Sequence, residues 1–137
     1  MPRQIFVNLP VKDLERSKAF FAALGFSFNP KFTDENAACM VIEDGANYAM
    51  LLTEKFFAGF TKKPVADARK STEVLIALSL ESRAAVDAMV AKAREAGGTV
   101  PNEPKDYGFM YQHGFDDPDG HGWEVFFMSG DPPAAAA

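Results

Sequence analysis

Glu124 is the single carboxylate in an apolar run near the end of the chain, from Trp123 to Met128. A strand of this sequence would point successive side chains to opposite faces of a sheet, which places Glu124 together with Phe126 and Met128. A carboxylate buried without a partner loses its charge or destabilises the fold, so this position indicates either a sheet edge or a site with a partner. Glu124 is therefore the first candidate for a functional acid.

Three further residues have side chains capable of chemistry. His113 lies shortly before the same hairpin and is a candidate general acid or base, because imidazole changes its charge near neutral pH; a plain surface position is the alternative. His121 lies in the turn, where we expect it to be solvated. Cys39 is the only cysteine, which excludes an internal disulfide and fits a small core residue. The candidate catalytic residues are thus Glu124 and His113.

The turn before Glu124 has a strong sequence signal. Pro118 fixes its own φ, Asp119 can bond its own backbone, and Gly120 accepts a positive φ. We therefore predict a tight reversal between two apolar strands, the second of which carries Glu124.

The first half of the chain predicts a strand, a helix and three more strands. Residues 4–11 alternate between two faces, with Phe6 and Asn8 on the face opposite the regular aliphatic positions. Asp13 stands at a helix N-cap position, and Gly25 follows the last apolar residue of the helical pattern. Three short runs of β character follow, beginning at Phe26, Ala37 and Tyr48.

The same order of elements returns in the second half. A strand begins at Val74, Ser82 caps a helix that Gly97-Gly98 ends, and extended segments follow at Thr99-Val100, 108–113 and 123–128. The predicted fold class is α+β, with two tandem βαβββ modules that form a curved mixed sheet with a concave cavity. The boundaries are module one 4–53, linker 54–72 and module two 73–129, within one domain over 1–130 and before a loose tail at 131–137.

In each module the helix covers one face of the sheet, which leaves the other face for a ligand. Glu124 either acts chemically there or only accepts hydrogen bonds from Asn8, Tyr111 or a ligand cation. An acidic, aromatic cleft would suit a cationic ligand, since carboxylates and aromatic faces both attract cations. The predicted ligand-binding residues are Phe6, Asn8, Tyr48, Met50, Leu75, Tyr111, Phe126 and Met128.

Two motifs, together with the doubled order of elements, resemble a known family. The first runs Leu9-Pro-Val-Lys-Asp-Leu-Glu-Arg-Ser17, before Phe20-Phe21 and Leu24-Gly25-Phe26, and the second is Asp117-Pro-Asp-Gly120 before Glu124. Over residues 5–128 the chain resembles the vicinal oxygen chelate superfamily, which holds glyoxalase I, extradiol dioxygenases and the bleomycin and fosfomycin resistance proteins. Within it, the chain is similar to bacterial predicted lactoylglutathione lyase-like proteins.

The resemblance implies a position for a metal ion, which metal-dependent members bind through one ligand on each of four strands, usually His or Gln, Glu, His and Glu. The last ligand corresponds to Glu124, the first to Phe6, the third to Leu75, and the second to Leu51 or Ala49. One carboxylate among apolar side chains does not hold zinc, nickel or iron, which need three or four protein donors. We therefore expect no metal and no other cofactor, with Glu124 as the only retained ligand position.

Composition narrows the class of partner. The chain has 137 residues, 47% of them hydrophobic, and a net charge of −5, which fits one globular domain and argues against nucleic acid or an anionic membrane as partner. We found no run of roughly 18 apolar residues that would span a membrane, and we expect a cytoplasmic protein. The resemblance implies a homodimer.

The sequence favours a protein that binds a small organic ligand in a partly aromatic, acidic cavity without the usual divalent metal. One alternative is a metal-dependent enzyme of the lactoylglutathione lyase or dioxygenase kind, with Glu124 as base and His113 or an unusual metal site as partner. Another is an antibiotic-sequestering resistance protein. Whether the chain catalyses a reaction stays open; a lyase or isomerase of the glyoxalase type is the expected class if it does.

Overall fold

The structure of the protein is a computed structural model that describes residues 3–131 and 133. The chain divides into two compact units between Asp67 and Ala68. Each unit contains one β-α-β-β-β module, so the predicted fold class, α+β with two tandem βαβββ modules, is confirmed. No helix among these residues has both the length and the apolar character needed to cross a membrane.

Module one is a four-stranded mixed sheet with one helix. Its elements are β1 (Ile5–Val11), α1 (Leu14–Ala23), β2 (Ser27–Asn29), a 3-10 turn (Pro30–Phe32), β3 (Ala37–Glu43) and β4 (Asn47–Thr53). The strand order is β1-β4-β3-β2; β1 runs parallel to β4, and the other pairs are antiparallel. A short helix, α2 (Glu54–Ala58), follows.

Helix α1 begins where the sequence predicts. The side chain of Asp13 accepts a hydrogen bond from the backbone N–H of Arg16 at 3.1 Å, which satisfies one of the free donors of the first turn. The helix buries Leu14, Ser17, Phe20 and Phe21. The core of the module also contains the alternate strand residues Leu9, Val11, Ala38, Met40, Ala49 and Leu51.

Module two repeats this topology. Its elements are β5 (Leu75–Ser79), α3 (Arg83–Glu95), β6 (Lys105–Asp106), β7 (Met110–Asp116) and β8 (Gly122–Met128). The strand order is β5-β8-β7-β6, again with one parallel pair, β5 with β8. Helix α3 is capped by Ser82, as predicted, and buries Val86, Val90 and Ala93.

One predicted segment differs in the structure. Thr99-Val100 is not a strand: Thr99 forms only an isolated bridge with Asp116, and the strand of this region is β6, further along the chain. The predicted linker at 54–72 contains helix α2, whose first turn is capped by the Thr53 side chain, which accepts from the Phe56 N–H. Residues 132 and 134–137 of the predicted tail lie outside the described residues.

Candidate functional site

Glu124 lies on the face of the module-two sheet that points away from α3. The pairing register places it between Ala77 of β5 and Gly114 of β7. Its strand neighbours Trp123 and Val125 are fully buried on the opposite face. Since the two residues beside Glu124 are small, its carboxylate has open space around it.

The carboxylate of Glu124 accepts a hydrogen bond from Gln112 on the neighbouring strand. The distance between Gln112 Nε2 and Glu124 Oε2 is 2.7 Å, and the bond is partly buried. Gln112 pairs with Phe126, so it is a diagonal neighbour of Glu124 on one face of an antiparallel pair, within reach of a long side chain. A charge-assisted bond of this kind holds the carboxylate in a defined orientation.

A cavity of about 130 Å³ opens at this pair. It is lined by Leu75, Pro101, Asn102, Glu103, Lys105, Gln112, His113, Gly114, Phe115, Asp116, Gly122, Trp123 and Glu124. Pockets that enclose a whole drug-sized ligand start at about 300 Å³. The cavity therefore fits one polar group of a ligand and not a large molecule.

The charge of the cavity is predominantly negative. Its lining includes three carboxylates, Glu103, Asp116 and Glu124, and one cation, Lys105. Asp116 lies close to Gly122: its Oδ1 is 3.7 Å from the point that a Cβ on Gly122 would occupy. Burial raises the pKa of the Asp116 carboxyl, because the charged form is less well solvated there.

His113 lines the cavity, but the backbone fixes one of its ring nitrogens. Its Nε2 lies 2.8 Å from the carbonyl oxygen of Asn102. A carbonyl only accepts, so Nε2 carries the proton in this bond and Nδ1 is the nitrogen left for acid–base chemistry. His113 pairs with Val125 in the register, which places its strand position on the face opposite Glu124.

The prediction that Tyr111 lies beside Glu124 was wrong. The Tyr111 hydroxyl donates to Asp87 of α3 at 2.6 Å, and its ring lies under the Arg83 guanidinium at 4.9 Å. The odd-numbered positions of β7 at this end therefore face the helix, and the even-numbered Gln112 faces Glu124. Gln112 and Asp116 are site residues that the sequence interpretation did not select, since choosing them requires the register of β7 against β8.

A second group of predicted ligand-binding residues lies in module one. The rings of Phe6 and Tyr48 are stacked, with centroids 4.6 Å apart and planes at 9°. Asn8 and Met50 are paired one step further along the same face. The amide of Asn8 donates to the Phe6 carbonyl oxygen at 3.5 Å, a contact within its own strand.

The remaining predicted residues of module two follow the expected alternation. Leu75 is exposed and lies against Gly122, where its Cδ2 would be 2.7 Å from an added Cβ. Phe126 and Met128 share the face of Glu124; Phe126 is half-buried, and Met128 is exposed. The structure thus brings Leu75 and Glu124 into one cavity, with Phe126 and Met128 further along the strand.

The position that corresponds to the second metal ligand is Met50, and its assignment to Leu51 or Ala49 was wrong. Both of those side chains are fully buried in the core of module one. The modules share one register: Ala77 pairs with Glu124 in module two as Asn8 pairs with Met50 in module one. Met50 is therefore the counterpart of Glu124.

The residues at the four ligand positions do not fit a divalent ion. Phe6 and Leu75 have no donor atom, Met50 offers only a weak thioether, and Glu124 is the one carboxylate of the four residues. Within residues 3–131 and 133, no group of three or more His, Cys, Asp or Glu side chains is arranged to hold a metal.

Comparisons with known proteins agree with this architecture. Residues 3–43 match the family described as bleomycin resistance protein-like, N-terminal. The chain is 32% identical to a hypothetical protein from S. aureus of known structure, with a TM-score of 0.77 and coverage of 93% of this chain and 95% of that one. No curated protein sequence matches the chain.

Two more distant structures share the fold. A glyoxalase-related enzyme from Fulvimarina pelagi is 19% identical, with a TM-score of 0.77 and coverage of 93% and 88% of the two chains. A fosfomycin resistance protein from Mesorhizobium loti is 14% identical, with a TM-score of 0.66 and coverage of 93% and 92%. At such identities the likeness shows a common fold and nothing about the ligand.

Proposed function

The chain belongs to the vicinal oxygen chelate superfamily, which includes the glyoxalase, bleomycin resistance and dioxygenase proteins, and from this we propose that it binds a small organic molecule at Glu124 without the usual divalent metal. The proposed ligand-binding residues of module two are Leu75, Gln112, Glu124, Phe126 and Met128. Those of module one are Phe6, Asn8, Tyr48 and Met50, where the stacked rings supply an aromatic surface.

The hydrogen bond between Gln112 and Glu124 is the observation that carries this proposal. It makes the carboxylate a hydrogen-bonding group of the cavity, since one oxygen of Glu124 accepts the amide N–H of Gln112 at 2.7 Å. The positions that would complete a metal site hold Phe6, Met50 and Leu75. A bonded carboxylate in a small open cavity supports recognition of a ligand through hydrogen bonds and charge.

Ligand screening tests the proposal. A panel of small cationic, neutral and anionic organic molecules is expected to include compounds that raise the melting temperature of the protein by binding the native state. Glu124→Gln should abolish those shifts, because it removes the charge while keeping the shape. Glu95→Gln, at an exposed position at the end of α3, is the matched control and should keep them.

Metal content separates this proposal from the metal-dependent alternative. We expect purified protein to hold no stoichiometric zinc, nickel or iron by elemental analysis. Stoichiometric metal that is lost in Glu124→Ala, or turnover of the methylglyoxal–glutathione hemithioacetal, would replace the proposal with a glyoxalase-type lyase that uses Glu124 as base and either an unusual metal site or His113 as partner. Shifts produced only by large cationic antibiotics would favour a drug-sequestering protein.

Two further expectations accompany the proposal. We propose that the protein is a homodimer and that it is cytoplasmic. Light scattering coupled to size-exclusion chromatography measures the first, and fractionation of the source cells measures the second. A monomer at micromolar concentration would contradict the dimer.

A further inference from the structure

We propose that the ligand group recognised by the cavity is a planar cation with paired N–H donors, a guanidinium or amidinium, held by Glu124 with Gln112 as the residue that orients it. This inference rests on the proposed function, since it names the chemical class of the ligand at the same site. It follows from the hydrogen-bonding capacity that the Gln112–Glu124 pair leaves unused.

Gln112 sets the orientation of the acceptors. An ionised carboxylate only accepts, so the amide of Gln112 must turn its N–H toward Glu124 and its own oxygen away. The carboxylate has about four lone-pair sites, of which this bond uses one. The pair therefore presents a carboxylate held in one plane, and next to it a second neutral acceptor.

A fixed carboxylate plane matches a planar fork of donors better than a point charge. Guanidinium and amidinium groups donate two parallel N–H bonds to the two oxygens of one carboxylate. An ammonium group donates in any direction and gains little from the orientation that Gln112 imposes. The Gln112–Glu124 bond thus distinguishes the two kinds of cation.

Asp116 provides a further acceptor for the outer N–H groups of such a cation. It pairs with Gly122, so it is a diagonal neighbour of Glu124 on the same face, and Cα atoms in that relation are about 7–8 Å apart. Gly114 and Gly122 add no side chain of their own to the intervening surface, and the side chain of Leu75 lies beside it, against Gly122. A group with several donors can reach both carboxylates across that gap, whereas a compact ammonium contacts one.

Lys105 is a cationic side chain of the protein that would compete with a bound cation at this site. It lies opposite Gln112 in the β6–β7 register and lines the cavity, yet within the described part of the chain it forms no ion pair with a cavity carboxylate. Its removal should therefore strengthen the binding of an external cation. If the cavity bound an anion instead, the same removal would weaken binding.

The test is an NMR titration of the ¹⁵N-labelled protein with four small probes: methylguanidine, acetamidine, methylammonium and neutral N-methylurea. We expect the first two to shift the amide signals of 112–116 and 122–124 with an affinity about tenfold above methylammonium. Glu124→Gln should abolish the binding of all cations, and Lys105→Ala should raise their affinity. Glu95→Gln is the control that should change nothing.

Gln112→Met, which keeps the length of the side chain, separates an orienting role from a structural one. It should remove the preference for methylguanidine over methylammonium and leave methylammonium affinity within about twofold. If that variant does not fold, Asp116→Asn provides the second measurement, because it should lower methylguanidine affinity selectively.

The outcomes separate the two proposals. Equal affinity for methylguanidine and methylammonium, or weaker cation binding in Lys105→Ala, overturns the guanidinium inference. Binding of N-methylurea or an organic anion in place of the cations, lost in Glu124→Gln, overturns it too and leaves the proposed function standing. Stoichiometric metal on Glu124 overturns both.

Discussion

The two modules have the same topology and register, but their helix-free faces are opposite in character. On each face, three rows of paired residues cross the strands, and the rows of the two modules correspond in order. The rows of module one are Phe6–Tyr48–Val41, Asn8–Met50–Cys39 and Pro10–Leu52–Ala37. The rows of module two are Leu75–Gly122–Asp116, Ala77–Glu124–Gly114 and Ser79–Phe126–Gln112. The middle positions of the rows hold Tyr48, Met50 and Leu52 in module one, and Tyr48 stacks on Phe6. In module two they hold Gly122, Glu124 and Phe126, with Asp116 and Gln112 at the ends of the first and third rows.

This difference shows how one of two repeated sheets comes to have a cavity at the matched positions. Tyr48 of module one is buried, whereas its counterpart Gly122 leaves room for the cavity and for the carboxylate of Asp116. The backbone supplies the same positions twice, and the volume and polarity of three or four side chains decide which of them becomes a cavity. The hairpins that follow the third strand of each module differ in a similar way.

The largest difference should appear when the turn glycines of the two hairpins are replaced. Gly120 and Gly45 both have positive φ, +91° and +84°. A Cβ on Gly45 meets nothing within 4 Å, so Gly45→Ala should cost about 1 kcal/mol of unfolding free energy from the backbone alone. A Cβ on Gly120 would lie 2.8 Å from the Arg69 backbone nitrogen and 2.9 Å from the Ala68 carbonyl carbon.

Gly120→Ala should therefore cost about 3 kcal/mol, because forced backbone shifts add to the cost of the positive φ. Urea denaturation of the two variants measures both losses of unfolding free energy. Equal losses would mean that residues 68–69 move aside freely, and that the second hairpin is not locked against them.

The next effect concerns one aspartate in each of the two hairpin turns. Asp117 is buried and accepts from the backbone N–H groups of Asp119 and His121 and from the Trp123 indole at 2.9, 3.1 and 3.1 Å. Asp117→Ala leaves these donors without their acceptor, and we expect a loss of about 2 kcal/mol. The loss is limited because burial, which raises the pKa of Asp117, already disfavours its charge.

Asp44, in the first hairpin turn, is the comparison in module one. It is exposed, and its Oδ1 lies 3.4 Å from the Tyr48 hydroxyl, so Asp44→Ala should cost below about 0.5 kcal/mol. Thermal unfolding followed by Trp123 fluorescence reports on both variants. A larger loss for Asp44→Ala would show that the first hairpin, not the second, depends on its aspartate.

Local signals predicted the elements well and the site only in part. Asp13 and Ser82 cap the predicted helices because capping is a property of a few adjacent residues. Tyr111 and the counterpart of the second metal ligand were placed wrongly because strand parity depends on where a strand starts and on its register with a neighbour. Strand β6 has only two residues, too few for an alternating pattern to be visible.

Different contacts hold the outer strands of the two modules, and in module two the contact comes from Arg83. Its guanidinium donates to both oxygens of Asp106 at 2.7 and 3.1 Å, which ties α3 to β6. The hydrogen bond to Arg83 lowers the pKa of Asp106, and Asp106 in turn raises the pKa of Arg83. In module one the Thr33 hydroxyl bridges the Asn29 carbonyl and the Cys39 N–H in the corresponding region.

Arg83→Ala should therefore return the pKa of Asp106 toward its ordinary value and accelerate hydrogen exchange around β6. Carboxyl NMR titration and hydrogen exchange measure the two effects. The pair is exposed, so global stability should change little. Arg83→Lys, which keeps the charge without the two-pronged geometry, should give an intermediate exchange rate. An unchanged exchange rate in both variants would mean that the strand pairing alone holds β6.

The smallest effect should be that of Asp116, whose counterpart in module one is the apolar Val41. Burial raises the pKa of the Asp116 carboxyl above its ordinary value, so the folded state holds its proton more tightly than the unfolded state does. The resulting cost is absent below the ordinary pKa, grows as pH rises through the window up to the raised value, and stays constant above it. Asp116→Asn should thus be slightly more stable than the parent chain at neutral pH and no more stable at acidic pH. Melting temperatures of both proteins between about pH 3 and 8 give this difference in stability. The sign is opposite to the one expected for Asp106, because the lowered pKa of Asp106 stabilises the fold above its titration range. An Asp116→Asn variant that loses stability at neutral pH would show that this carboxylate already has a favourable partner, and that the second module gains stability where it departs from the first.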